Sequence, residues 1–530
     1  MSFTSFDFLY FVAIFLILYY VLPKKARYLV LLAASYAFYI ITCKGYVVYI
    51  LLTTVTTYFS AVKISALAAV QKDYLKENKE SLSKEDKKNY KAKIKKQQKL
   101  FLVSALVFNF GILAVLKYAD FLFQNINLFK LHVFGSTNFL PMLNLVLPLG
   151  ISFYIFQSMG YVIDIYYGKY EAEKNFLKVA LFVSFFPQIV QGPISRFNEL
   201  APSLFEGHDY EEKNITYGLY QIFWGLFKKL LIADRVAGFV SCAMENYQQA
   251  GGTYLLLAIF LYSMEIYGDF SGGIDITIGV ARLFGVRVVN NFERPFFSKS
   301  VEEYWRRWHI TLGTWFKDYI FYPLTVAKWM INLGKWCRKH FGDAFGKRVP
   351  IYLSMFIVWF TTGLWHGAQW RYIVWGLLNF VILTFSTEAE PLYQKINAAL
   401  KWNGTFIQRL FRVVRTFWIM SFLRVFDVST CGMGQAVTVI KKALTDWCPL
   451  QMVHIETLGL EEQEFWCAIT AIVIVFIVDL IQRKGSIRDR LYALPLAARW
   501  TVTALLVIAV VVFGSYGIGY DSRAFIYLQF

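Results

Sequence analysis

The chain has 530 residues, of which 57% are hydrophobic and 19% aromatic, while only 17% are charged. Soluble globular domains carry about 25% charged residues, so the composition excludes that class and indicates an all-α, polytopic transmembrane protein. The net charge of +18 is spread unevenly, and it reads as an orientation signal beside a membrane, with no nucleic-acid partner.

Apolar runs near residues 8–22, 28–42, 46–68, 100–117, 143–165, 176–192, 214–233, 253–267, 350–366, 370–386, 408–426, 466–482 and 498–518 compete for the roughly 20 residues a spanning helix needs. Several are short, which predicts about 11 true spans plus re-entrant or interfacial helices. Such irregular segments are tolerated in a bilayer only where protein or a cavity surrounds them. The opening MSFTSFDFLYFVAIFLILYYVLP has neither a basic leader nor a small-residue cleavage site, which predicts a retained span. Residues 71–99 hold eleven lysines against five acids. By the positive-inside rule they lie in the cytoplasm, and counting back through three spans puts Lys24, Lys25 and Arg27 there too and the N-terminus outside. The six cysteines show no paired spacing, so neither a disulfide framework nor a metal site is expected.

From Pro148 onward Ser152, Gln157 and Asp164 enter an apolar context, and VSFFPQIVQGPISRF adds Pro187, Pro193, Gln188 and Gln191. Prolines free backbone carbonyls and glutamines can reoccupy them, which predicts a broken helix lining a cavity. EIYGDFSGGIDITIGVARLFGV then places Asp269, Ser271 and Asp275 among glycines and aromatics. The two aspartates suit a general base, a partner orienting a histidine, or salt bridges to Arg282 and Arg294. The glycines are not a phosphate loop, since G-x-x-x-x-G-K-[ST] is absent.

Ser300 and Glu303 have the spacing of a capping box, which predicts a helix starting there. Continued at about 100° per residue, it gathers Val301, Tyr304, Trp308, Leu312, Trp315 and Tyr319 into an apolar stripe, with Glu302, Arg306, His309 and Gly313 beside it. The second polar intrusion is His366 in TTGLWHGAQWR, flanked by Gly363 and Gly367. Small residues at that spacing allow close helix approach, and an imidazole in hydrocarbon carries a desolvation cost that asks for a function. His208 has no second histidine at metal-site spacing, and no G-x-S-x-G elbow or GxGxxG fingerprint occurs.

Taken together, PLGISFYIFQSMGYVIDIYYG, FFPQIVQGPISRF, YGDFSGGIDITIGVARLFGV, NNFERPFFSKSVEEYWRRWHITLGTWFKDYIFYPL, TGLWHG and the terminal FIYLQF resemble the membrane-bound O-acyltransferase superfamily, in its bacterial branch that includes alginate O-acetyltransferase. The resemblance implies one membrane domain over 1–530, with N-terminal spans in 1–118, a catalytic core in 140–386 and closing spans in 387–530. It implies His366 as the catalytic residue and His309 as a second functional position. It also implies a multi-pass protein of the bacterial plasma membrane that passes an acetyl group towards an exported or cell-wall polysaccharide, with an extracellular acetyltransferase-like partner. No bound cofactor is expected; the donor would be acetyl-coenzyme A or another acyl thioester, its phosphates met by Arg306, Arg307 and Lys317, or by Lys228 and Lys229. His366 would act as base, with His309, Trp305 or Arg306 stabilising the oxyanion. Where several relatives carry a further histidine, this chain has Asn379 in WGLLNF. D-alanyl transfer to teichoic acid from a carrier-protein thioester is the alternative within enzymes, and a membrane transporter the alternative outside them.

Overall fold

The computed structural model describes residues 1–516 and 525. Among them all regular elements are helices, and the strand-like pairing is an isolated antiparallel bridge between Phe292 and Trp308. It divides into two compact units, Met1–Ile215 with Val280–Val289, and Thr216–Gly279 with Asn290–Phe530.

The first unit is built around a long helical hairpin, Val47–Glu77 and Lys84–Phe134. Ser83 caps the second helix, its hydroxyl accepting from the Asp86 N–H at 3.1 Å, and Gly135 ends it in the left-handed region at φ 60°. Fifty-one residues at 1.5 Å each make a helix of about 75 Å, more than twice the roughly 30 Å hydrocarbon thickness. The lysine-rich half of the hairpin therefore runs on beyond the apolar half, tied across by Gln98 donating to the Ile64 carbonyl at 3.0 Å and by Tyr74 stacked on Tyr90 at 4.1 Å. The predicted break around the prolines is present. The helix Phe176–Ser184 stops at Phe185 and a single turn, Phe186–Ile189, follows. Glutamines take up the carbonyls that the break frees: Gln157 donates to Phe182 O at 2.6 Å and Gln188 to Pro193 O at 3.4 Å.

In the second unit the part of the helix Gly252–Leu283 up to Gly279 crosses the segment before Lys228 at glycine on glycine. A Cβ on Gly225 would stand 2.5 Å from the Gly272 carbonyl oxygen, and one on Gly272 2.8 Å from that of Gly225. That approach, followed by a π-helical turn over Lys229–Ala233, buries two consecutive lysines. Lys228 Nζ meets Asp275 at 2.5 Å and Ser271 at 2.8 Å; Lys229 Nζ meets Asp269 at 2.5 Å and Asp234 at 2.8 Å. Buried charges persist only when paired in this way.

Among the described residues five helical stretches are long and apolar enough to cross a membrane, or six if the bent pair Trp370–Glu388 and Glu390–Ala399 is one span. Of the apolar runs expected to give about eleven spans, some fall in short or broken helices, such as Phe6–Val21 and Phe176–Ser184, and others in long helices that carry more charge, such as Phe406–Val428. The runs at 28–42 and 46–68 form two helices, Arg27–Cys43 and Val47–Glu77, parted at Lys44 with φ 50°.

Candidate active site

The segment holding His309 is not one helix. The Ser300 cap is real, accepting from the Glu303 N–H at 3.1 Å, while the Glu303 carboxylate reaches the Lys299 N–H at 2.7 Å and not that of Ser300. The helix then ends at Arg307, Trp308 turns extended to pair with Phe292, and a new helix starts at Ile310. Between them His309 sits in the left-handed region, φ 48° and ψ 52°, a conformation few side-chain-bearing residues adopt. The continuous apolar stripe expected through Trp308 and Leu312 is thus corrected to two helices hinged at the histidine.

Asn291 holds the hinge. Its carbonyl accepts from the Ile310 N–H at 3.0 Å, and its side-chain oxygen accepts from both the N–H and the hydroxyl of Thr311 at 2.9 Å. Its amide nitrogen stands 3.1 Å from His309 Nδ1. The imidazole is 3% exposed, edge-on to the Phe270 ring at 4.8 Å. Burial pushes its pKa down to about 3, because a charged imidazole there would lose its water.

His366 ends the helix Asp343–His366 and is half-buried. It is placed by a glycine contact: a Cβ on Gly363 would lie 2.5 Å from the Tyr372 carbonyl oxygen, and one on Gly376 2.4 Å from that of Trp359. The close approach predicted from the glycine spacing is therefore present. Trp365 joins the two histidines, its ring 5.7 Å from His309 and 5.0 Å from His366. His366 also meets Trp375 at 4.7 Å, edge to face.

The remaining candidates sort by what they already hold. The Trp305 indole N–H donates to Asn379 Oδ1 at 3.1 Å, and the Asn379 amide donates to the Trp375 carbonyl at 2.9 Å. Asn379 therefore braces the tryptophans beside His366. Arg306 is exposed and pairs with Glu302 at 3.2 Å, and Arg307 pairs with Glu303 at 2.7 Å. Lys317 is exposed at the start of a π-helical turn. Lys228 and Lys229 are the ion-pair partners of Asp275 and Asp269, where the sequence had offered Arg282 and Arg294. A cavity of about 260 Å³ is lined by Trp224, Lys228, Tyr267, Asp275, Asn291 and Asp479, among others, so Asn291 faces both this space and His309. Among the described residues no group of three or more His, Cys, Asp or Glu is placed to hold a metal ion. Phe525 packs under Lys229 at 4.6 Å; the rest of the terminal FIYLQF motif lies outside the described residues.

Asn291 is the residue that sequence reasoning passed over. The available signal was its place in NNFERPF, directly ahead of the His309 block.

The sequence model of the membrane-bound O-acyltransferase family matches residues 173–330 and 325–426, a stretch that takes in Asn291, both histidines and Asn379. A probable alginate O-acetylase of Pseudomonas putida is 32% identical over 77% of this chain and 75% of its own length. Another, from Pseudomonas syringae, is 33% identical over 71% of this chain, a match that spans 64% of the relative. A peptidoglycan O-acetyltransferase of Helicobacter pylori is 30% identical over 58% of this chain and 60% of its own length. A teichoic acid D-alanyltransferase of Bacillus subtilis is 28% identical over 49% of this chain and 63% of its own. The chain belongs to the membrane-bound O-acyltransferase family.

Proposed function

We propose that this protein is an O-acetyltransferase that takes an acetyl group from a cytoplasmic thioester, acetyl-coenzyme A being the proposed donor, and delivers it to a hydroxyl on the outer side. Supporting this reading is the contact of a half-buried histidine and a buried, neutral one with the same indole, that of Trp365. His366, the more accessible, takes the proton of the attacking hydroxyl as its oxygen bonds to the thioester carbonyl carbon. His309 donates to the oxyanion that forms. The carbon–sulfur bond then breaks, and His366 returns the proton to the leaving thiolate. Trp305, with its N–H given to Asn379, and Arg306, paired with Glu302 at the surface, leave His309 as the proposed oxyanion donor. Arg306, Arg307 and Lys317 are the proposed contacts for donor phosphates.

The final acceptor is proposed to be an exported or cell-wall polysaccharide, reached with an extracellular acetyltransferase-like partner, in a plasma-membrane protein acting as one domain over 1–530. The acetyl reading draws on the alginate and peptidoglycan relatives, matched over more of this chain than the D-alanyl one. The transport alternative has no counterpart among these relatives, whose names are all those of acyl-transferring enzymes. In His366→Ala cells, ester-linked acetyl on the exported polymer should vanish while the membrane holds normal amounts of protein. Full acetylation at equal expression would refute the assignment, and ester-linked D-alanine in place of acetyl in the wild type would transfer it to the alternative. Orientation has its own check. A cysteine near Lys88, in a background without the native ones, should escape a membrane-impermeant thiol reagent in intact cells, and one near Ser2 should react; the reverse pattern would invert the topology.

A further inference from the structure

We propose that Asn291 is a positioning residue that fixes His309 as the Nε2–H tautomer, making it a hydrogen-bond donor in the reaction and not a base. An amide can be read either way round unless a partner of fixed polarity decides it. Here the partner is the Thr311 backbone N–H, which can only donate, so the atom 2.9 Å from it is the Asn291 oxygen. That oxygen has two lone pairs, and the Thr311 hydroxyl at 2.9 Å engages the second. The NH₂ group is thereby turned to His309, and it stands 3.1 Å from Nδ1, against 3.4 Å for the oxygen. An amide nitrogen cannot accept, so Nδ1 must, and the proton of the neutral ring resides on Nε2.

The backbone keeps this register. The Ile310 N–H donates to the Asn291 carbonyl at 3.0 Å, the Glu293 N–H to the Arg307 carbonyl at 2.9 Å, and Phe292 bridges to Trp308. Packing of the ring against Phe270 at 4.8 Å and Trp365 at 5.7 Å opposes the ring flip that would put Cδ2 in the place of Nδ1 beside the amide. The left-handed turn at His309 thus presents Nδ1 to a fixed donor and leaves Nε2–H as the ring's own donor.

The functional part of this proposal rests on His309 stabilising the oxyanion; the tautomer does not. The experiment separates them. Purified protein labelled with ¹⁵N-histidine is compared with His309→Gln, and the difference spectrum isolates the His309 nitrogens. The expected wild-type result is an unprotonated Nδ1 and a protonated Nε2. In Asn291→Asp the near-isosteric carboxylate still accepts from Thr311 but presents an acceptor to Nδ1, so the protonation of the two nitrogens should exchange. Polymer acetylation should then fall by about 10²- to 10³-fold, the usual cost of one oxyanion donor, at unchanged protein level. A protonated Nδ1 in the wild type overturns the proposal whether or not the variant folds. The expected tautomer together with normal acetylation by Asn291→Asp would instead overturn the role of His309 as oxyanion donor, and with it the positioning role of Asn291.

Discussion

The two histidines are held in opposite ways. His366 ends a long apolar helix and is set by backbone contact, Gly363 against Tyr372 and Gly376 against Trp359, with tryptophans around a ring that stays half-exposed. His309 sits in a strained turn between two seven-residue helices and is set by side-chain chemistry, one asparagine serving Thr311 and the imidazole together. A group that must meet substrate and exchange a proton needs access, and the helix end provides it. A group that must offer a fixed donor needs orientation, and the buried turn provides that. On the proposed mechanism, motion of the proton falls to His366 and stillness to His309.

The sharpest way to break the contrast is to remove the donor side. His309→Ala should lower polymer acetylation about 10²- to 10³-fold, with protein in the membrane at wild-type amounts; near-normal acetylation would mean that the turn is structural.

A smaller effect follows from burial of the His309 ring. Its folded-state pKa is depressed to about 3, against about 6.5 when exposed. Below pH 6.5 the unfolded chain therefore binds a proton that the folded chain refuses. Stability contributed by this group is intact above that pH and is lost as pH falls towards 3, at about 1.4 kcal/mol per unit. His309→Gln, which cannot titrate, should lose less thermal stability in detergent between pH 7 and pH 5 than the wild type. Equal losses would show that the ring is hydrated or already charged.

The contrast also explains how much was legible in the sequence. His366 stood out because a polar ring interrupts an apolar run between two glycines, a pattern that packing alone produces. The hinge at His309 did not, because no proline or glycine marks it. It is created by an asparagine 18 residues earlier, a tertiary cause that helical periodicity cannot contain. The Lys228–Lys229 pair misled for a related reason. At the end of an apolar run two lysines look like cytoplasmic cations, but Lys228, closing its helix, and Lys229, opening the π-helical turn, are buried on Asp275 and Asp269 of a helix some 40 residues on. The proline break was readable because Pro187, Gln157 and Gln188 act through local backbone chemistry.

Whether the two histidines work on one reacting carbonyl, as proposed, is tested most directly by a double-mutant cycle. Groups that act as a unit give strongly non-additive losses, since the second removal strikes a site already disabled. Residual polymer acetylation is measured for His309→Ala, His366→Ala and the double variant at matched protein levels, with an assay sensitive enough to quantify His366→Ala. The double variant should be scarcely worse than His366→Ala alone. A residual rate equal to the product of the two single losses would contradict it and place His309 outside the reaction chamber.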